Sequence, residues 1–271
     1  FRIGRAASVM RSAPWRLGSG RSRSCPIICR NRPCHSLREK LTPVYPHDGE
    51  YLDHYHPNLP HPDAYFPDGQ IRDEVYVFAS FLQSKMYKEG VRCNDCHNPH
   101  TLELHLSVED NQLCMQCHEP EYNDPGHHFH EVETKGAQCI SCHMPGRYYM
   151  EVDFCHDHSF RVPRPDLSER FGTPNACNDC HQDKSSEWAA RAVEKWYGPD
   201  RPEHHSETWL LADSVGMAAI PELTLLLQDT SQNAMVRATT AWYLGQFPAP
   251  ENAEILAEYL RDSSALVRSS A

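Results

Sequence analysis

The chain of 271 residues is long enough for one or two domains, and its 39% hydrophobic and 10% aromatic content is modest for that length. It carries 18 His and 12 Cys, an unusual pairing that points to something other than side chains filling part of the interior. Ten of the 26 basic groups lie in residues 1–40 beside one acid, Glu39, which leaves 16 basic against 36 acidic groups in the body. That negative body argues against nucleic acid as a partner and favours a basic protein partner. No run of about 18 apolar residues is present, so no membrane span is expected.

Residues 1–28 form a basic tail rich in Arg, Ser and Gly. It lacks the apolar stretch of a secretory signal and any helical or strand period, so it reads as disordered or anomalous sequence. The chain starts at Phe1 and stops inside what reads as a repeat, so a fragment at both ends is expected.

Residues 29–182 form the second unit. A loop-like run from Leu41 to Gly69 precedes an expected helix over Ile71–Glu89, where Val75, Phe78, Phe81, Leu82 and Met86 recur at near-helical spacing. Four motifs follow among short turns: Cys93-Asn94-Asp95-Cys96-His97, Cys114-Met115-Gln116-Cys117-His118, Cys139-Ile140-Ser141-Cys142-His143 and Cys177-Asn178-Asp179-Cys180-His181.

C-x-x-C-H is the pattern of c-type haem attachment. Its two thiols add to the two vinyl groups of the porphyrin, and the adjoining His becomes the proximal iron ligand. Zinc is a rival, because Cys93/Cys96 and Cys114/Cys117 have the spacing of a four-Cys site. Disulfides are a second rival. Neither needs a His directly after the second Cys, and here all four pairs have one. The reading is therefore haem c with iron, four copies.

Cys29-Arg30-Asn31-Arg32-Pro33-Cys34-His35 has a looser C-x₄-C-H spacing. It is read either as a fifth haem site on Cys29, Cys34 and His35 or as a degraded motif, and both readings stay open. Cys155 precedes His156 but has Val152 where a second Cys would stand, so it reads as a free thiol.

Fourteen of the 18 His do not close a C-x-x-C-H motif, and several fall where distal ligands are useful: His100, His105, His127, His128, His130, His156 and His158. The expectation is mostly bis-His coordination, with His100, His128, His130 and His158 as the leading candidates. Motif starts 21, 25 and 38 residues apart leave no room for a separate domain per haem, so the haems must pack together.

Residues 183–271 lack Cys and turn Ala- and Leu-rich. Asp183 or Ser185 caps an expected helix that Gly198-Pro199 ends. Further helices fit Glu207–Ser214, Ile220–Gln228, Ala234–Gly245 and Asn252–Arg261. Asp229 and Asp262, with Val236-Arg237 and Val267-Arg268, recur at a spacing near 30, which fits HEAT-like helical repeats. The fold class is thus mainly α with much irregular loop, a multihaem domain followed by α-helical repeats.

These motifs resemble a family. "CNDCHNPH" followed by "CMQCH" looks like the doubled C-x-x-C-H module of multihaem c-type cytochromes. "CISCHMP", with "HHFH" upstream and "DHSFRVPRP" downstream, is similar to the haem-packing core of nitrite reductases and hydroxylamine oxidoreductases. "DEVYVFASFLQSKMY" and "GTPNACNDCH" resemble bacterial multihaem cytochromes in which such a core precedes helical repeats. The resemblance implies His100, His128 or His130, and His158 as distal ligands. It departs from the nitrite reductases in having no C-x-x-C-K motif.

Electron transfer is the function expected from these readings, with redox proteins as partners and the helical repeats as a docking platform. The alternative is an oxidoreductase of nitrogen or sulfur oxyanions with one open iron near His54, His56, His61 or Tyr65. Haem c is attached outside the cytoplasm, which places the chain in a periplasmic or extracellular compartment.

Overall fold

A computed structural model describes residues 35–45, 49–73, 75–98, 100–101 and 103–271. The tail, Cys25, Cys29 and Cys34 lie outside the described residues, so of the looser fifth motif only His35 can be placed.

In chain order, β1 (Arg38–Lys40) and β2 (Tyr55–Pro57) pair antiparallel with Glu39 opposite His56. Helices α1 (Val77–Leu82) and α2 (Lys85–Lys88) follow. The periodicity predicts one helix over 71–89, and the structure splits it. Tyr76 has a positive φ of 60°, which no helix admits, and Ser84 accepts a hydrogen bond from the Tyr87 N–H at 3.0 Å to start a new helix. Ile71 instead bridges Tyr65.

The motif region holds α3 (Cys93–Cys96), α4 (Gln112–Met115), α5 (Pro125–His128) and α6 (Cys139–His143). A hairpin of β3 (Gly146–Tyr149) and β4 (Asp153–His156) follows, unforeseen in the sequence reading. Next come α7 (Pro165–Phe171) and α8 (Ala176–Cys180).

The C-terminal part is α9 (Ser186–Tyr197), α10 (His205–Val215), α11 (Ile220–Gln228), α12 (Ala234–Gly245), α13 (Pro250–Tyr259) and α14 (Ala265–Ser270). Here the sequence bounds match closely. Ser185 caps α9 through the Trp188 N–H at 3.2 Å, and Gly198 ends it at φ 87°. The two recurring Asp residues build the same turn: Asp229 accepts from the Ser231 N–H at 2.9 Å, and Asp262 from the Ser264 N–H at 2.8 Å. Val236 and Val267, the matching positions in α12 and α14, are both buried.

One apolar core joins residues 51–82 to the C-terminal helices. Tyr51, Leu59, Tyr65, Val75 and Phe78 pack in the same cluster as Trp209, Leu223, Leu227, Leu244 and Leu266. Polar ties reinforce it: Asn233 donates to the Gln83 carbonyl at 3.1 Å, and His56 meets Ser270 at 3.0 Å. Residues 35–82 and the C-terminal helices therefore fold into one another.

The motif region is different. Between Lys85 and Met144 the buried residues, among those described, are Asn111 and Ala137. A stretch this poor in buried side chains cannot hold itself together by apolar burial alone.

The helical run His205–Gln228 is long and apolar enough to cross a membrane by length and composition, with a mean hydropathy of 1.6 over its strongest window, where none was expected. It is broken by a 3-10 turn at Gly216–Ala219, and Trp209, Ala212, Leu223 and Leu227 are in the core cluster. Of its strongest apolar window 22% is buried, and Leu211, Val215, Met217 and Leu225 are exposed.

Leu244→Ala, which empties a fully buried position of α12, is expected to cost about 2–5 kcal/mol of stability in denaturant unfolding followed by helical ellipticity. Leu225→Ala, at a position 67% exposed, is expected to cost less than about 0.5 kcal/mol.

Candidate functional site

Each C-x-x-C-H motif begins in a short helical turn. The His97 N–H bonds the Cys93 carbonyl at 2.9 Å, His118 bonds Cys114 at 3.1 Å, and His181 bonds Cys177 at 2.8 Å. Among the described residues no motif cysteine is joined to another in a disulfide. Among the described residues no group of three or more His, Cys, Asp or Glu side chains converges to hold a metal, so Cys93, Cys96, Cys114 and Cys117 do not close into the four-sulfur zinc arrangement.

The four motifs are strung side by side in chain order. Burial, together with Asp95 and the neighbouring Cys117 and Cys93 thiols, pushes the Cys96 thiol up to about 11. Cys114 and Cys139 share a hydrogen bond, which lowers Cys139 to about 7 against the opposing effect of burial. Burial, with Cys177 and Cys180 close by, pushes Cys142 up to about 11. The second and third motifs are thus in direct contact, and the first and fourth lie within electrostatic range of them.

Asn111 sets the second of these contacts. Its backbone is left-handed at φ 64°, its amide donates to the Ala137 carbonyl at 2.9 Å and to Asn123 at 2.7 Å, and its side-chain oxygen accepts from the Cys139 N–H at 2.8 Å. One buried amide therefore ties the start of α4 to the start of α6. Asn175 caps α8 in a simpler way, accepting from Asn178 at 3.1 Å.

Three motif histidines face a second histidine. His97 and His158 have ring centres 6.4 Å apart and planes 24° apart. His127 and His143 stand at 6.1 Å and 7°. His130 and His181 stand at 6.1 Å and 32°. Metal–imidazole bonds are about 2 Å, and a ring centre lies a little over an ångström from its nitrogen, so an iron between two imidazoles spaces their centres by about 6 Å. The residues fit bis-His haem on this measure.

A second observation agrees. His143 donates its Nδ1–H to the Arg161 carbonyl at 2.6 Å, His158 to the His156 carbonyl at 2.8 Å, and His130 to the His128 carbonyl at 2.5 Å. With Nδ1 committed to a carbonyl, Nε2 is the nitrogen left for a metal, the tautomer that ligating histidines take. Burial lowers the pKa of His143, His158 and His127, which keeps them neutral.

The segment "HHFH" is divided between two sites. Asp124 caps α5, and Phe129 ends it in the left-handed region at φ 58°. That break sends His127 toward His143 and His130 toward His181. His128 lies between them, its Nδ1 accepting from the His130 N–H at 3.2 Å, so the facing position falls to His127. Gly136 makes room for His130, because a Cβ there would lie 2.3 Å from the ring. A cavity of about 400 Å³ opens at this pair, lined by His130, Glu131, Lys135, Gly136, Cys180 and His181.

The other expected residues are placed as follows. His100 is exposed on a turn, its N–H bonded to Asn98 at 2.9 Å, and His105 Nε2 meets the Asn94 carbonyl at 3.0 Å. His118 has Tyr122 edge-on at 6.0 Å. His35 is exposed beside α1, where its carbonyl accepts from the Phe78 N–H at 3.0 Å. His54 bonds Thr42, His61 packs on Trp242 at 4.2 Å, and Tyr65 is 1% exposed.

Helix α9 roofs two sites: Trp188 lies 5.0 Å from His181, Trp196 stacks on Phe129 at 4.5 Å, and the Tyr197 hydroxyl donates to the His127 carbonyl. Trp188, Trp196 and Tyr197 are legible in the sequence as residues of this helix, but nothing there places them over the motif sites.

Asn111→Ala is expected to cost about 1–3 kcal/mol, the penalty for unpairing buried backbone groups, and to lower haem incorporation at Cys114 and Cys139. Thermal melting and mass spectrometry of the two motif peptides check it.

Residues 85–123 match the family model described as the Doubled CXXCH motif, which covers the first two C-x-x-C-H sequences and supports haem c with iron there. No curated protein matches the chain. The solved structure of the outer cell wall cytochrome OcwA is similar, at 15% identity and a TM-score of 0.45, over 89% of this chain and 63% of its own. The chain thus spans less than two thirds of that structure's length.

Proposed function

We propose that this chain is a multihaem c-type cytochrome that transfers electrons. Haem c, when bound, supplies a reversible one-electron iron couple, and the polypeptide supplies ligands, spacing and surroundings. Cys93/Cys96, Cys114/Cys117, Cys139/Cys142 and Cys177/Cys180 hold the porphyrins, with His97, His118, His143 and His181 as proximal ligands. His158, His127 and His130 are the distal ligands of the first, third and fourth sites. The observation that carries this reading is the spacing of the three imidazole pairs, 6.1–6.4 Å between ring centres.

Paired imidazoles favour low potentials over those of Met-ligated haem. The Cys114–Cys139 hydrogen bond and the short motif spacings support one closely packed series of sites. Pairs α11/α12 and α13/α14, joined by matching Asp turns, act as HEAT-like repeats and offer a docking platform for redox proteins. Haem c attachment chemistry puts the protein outside the cytoplasm.

The test is a haem-stained denaturing gel with spectra of the reduced protein under carbon monoxide. Expected are covalently retained haem and low-spin spectra from the three paired sites. His158→Ala is expected to add a carbon monoxide-binding iron at the first site while covalent haem content stays the same. Loss of all haem on denaturation contradicts the thioether reading. Carbon monoxide binding identical in wild type and His158→Ala contradicts the assignment of His158.

A further inference from the structure

We propose that the ion pair of buried Asp157 with half-buried Arg161 is a positioning device that holds the axial imidazoles of two different irons, those of the first and third motifs, through one six-residue loop. The inference rests on the ligand pairs proposed above and goes on to say what sets their orientation.

The loop 156–161 touches both sites. At one end, His158 faces His97, and its Nδ1 is anchored on the His156 carbonyl of the same loop at 2.8 Å. At the other end, Arg161 clasps His143 with two bonds. Its carbonyl accepts from the His143 Nδ1 at 2.6 Å, and its N–H donates to the His143 carbonyl at 3.0 Å. Carbonyl acceptors of this kind fix the tautomer, ring angle and basicity of a ligating imidazole.

Between these two anchors the loop has no regular hydrogen-bonding of its own. Phe160 takes a left-handed backbone at φ 49°, a conformation that persists in a bulky residue only where the surroundings impose it. The imposition comes from Asp157, 4% exposed. Its carboxylate accepts from the Ser80 hydroxyl, from the Ser159 N–H at 2.9 Å and from Arg161 Nε at 3.1 Å.

The Arg161 guanidinium continues outward to the Asp68 carbonyl at 2.7 Å and to Gln83 at 3.3 Å. The pair therefore pins the loop to α1 and to the turn at Asp68, which belong to the part of the chain whose apolar core is formed by side chains. A rigid core is in this way connected to imidazoles in a region that has almost no buried side chains. A buried ion pair is weak evidence for stability in itself, and a specifying role is the better-attested use of one.

Asp157→Asn keeps the side-chain volume and removes the charge opposite Arg161. Low-spin ferric resonances, assigned with His158→Ala and His130→Ala, report each iron. The expected result is that the signals of the His97/His158 and His143/His127 sites shift together, in g value and in potential, while that of the His130/His181 site stays. Ser80→Ala, a milder change should Asp157→Asn fail to fold, is expected to shift the same two signals by less. A wild-type protein without bis-imidazole signals overturns the ligand pairs and this inference together. Intact wild-type signals that these variants leave unchanged, or that move equally at all irons, overturn the positioning role alone.

Discussion

An imidazole offers a metal one nitrogen, and offers it reliably when the other nitrogen is bound elsewhere. In this protein the second nitrogen of His130, His143 and His158 is held by a backbone carbonyl. That constraint organises the motif region, because each carbonyl must be presented at the right place by a stretch of chain that is not a long helix or a broad sheet. Short turns, left-handed residues and buried amides do the presenting.

Two of these stretches serve two sites each. Residues 127–130 send one ring to His143 and another to His181, and residues 156–161 send His158 to His97 and anchor His143. Sharing of this kind follows from motif spacings too short for separate domains. Residues 35–82 and the C-terminal helices build the apolar core, while the motif region contributes little to it.

The thioether motifs and the C-terminal helices were legible because their signals are local. A Cys pair with its His is a five-residue pattern, and Ser185, Gly198 and the paired Asp turns are caps whose chemistry acts over three or four residues. Tertiary information was not legible. Nothing in "HHFH" distinguishes His127 from His128, and the choice is made by where Phe129 ends the helix. The split at Ser84 overrode a good helical period because Tyr76 and Ser84 have backbone roles that hydrophobic spacing does not report. Asn111, Gly136 and Arg161 act through a backbone bend, a missing Cβ and a carbonyl, none of which has a sequence signature.

X-ray absorption at the metal edges of protein matured in a haem-attaching host tests the central claim most directly. The account predicts iron in a nitrogen-only first shell, with no sulfur scatterer. A zinc edge with sulfur in the first shell, or iron bound by sulfur, would contradict it.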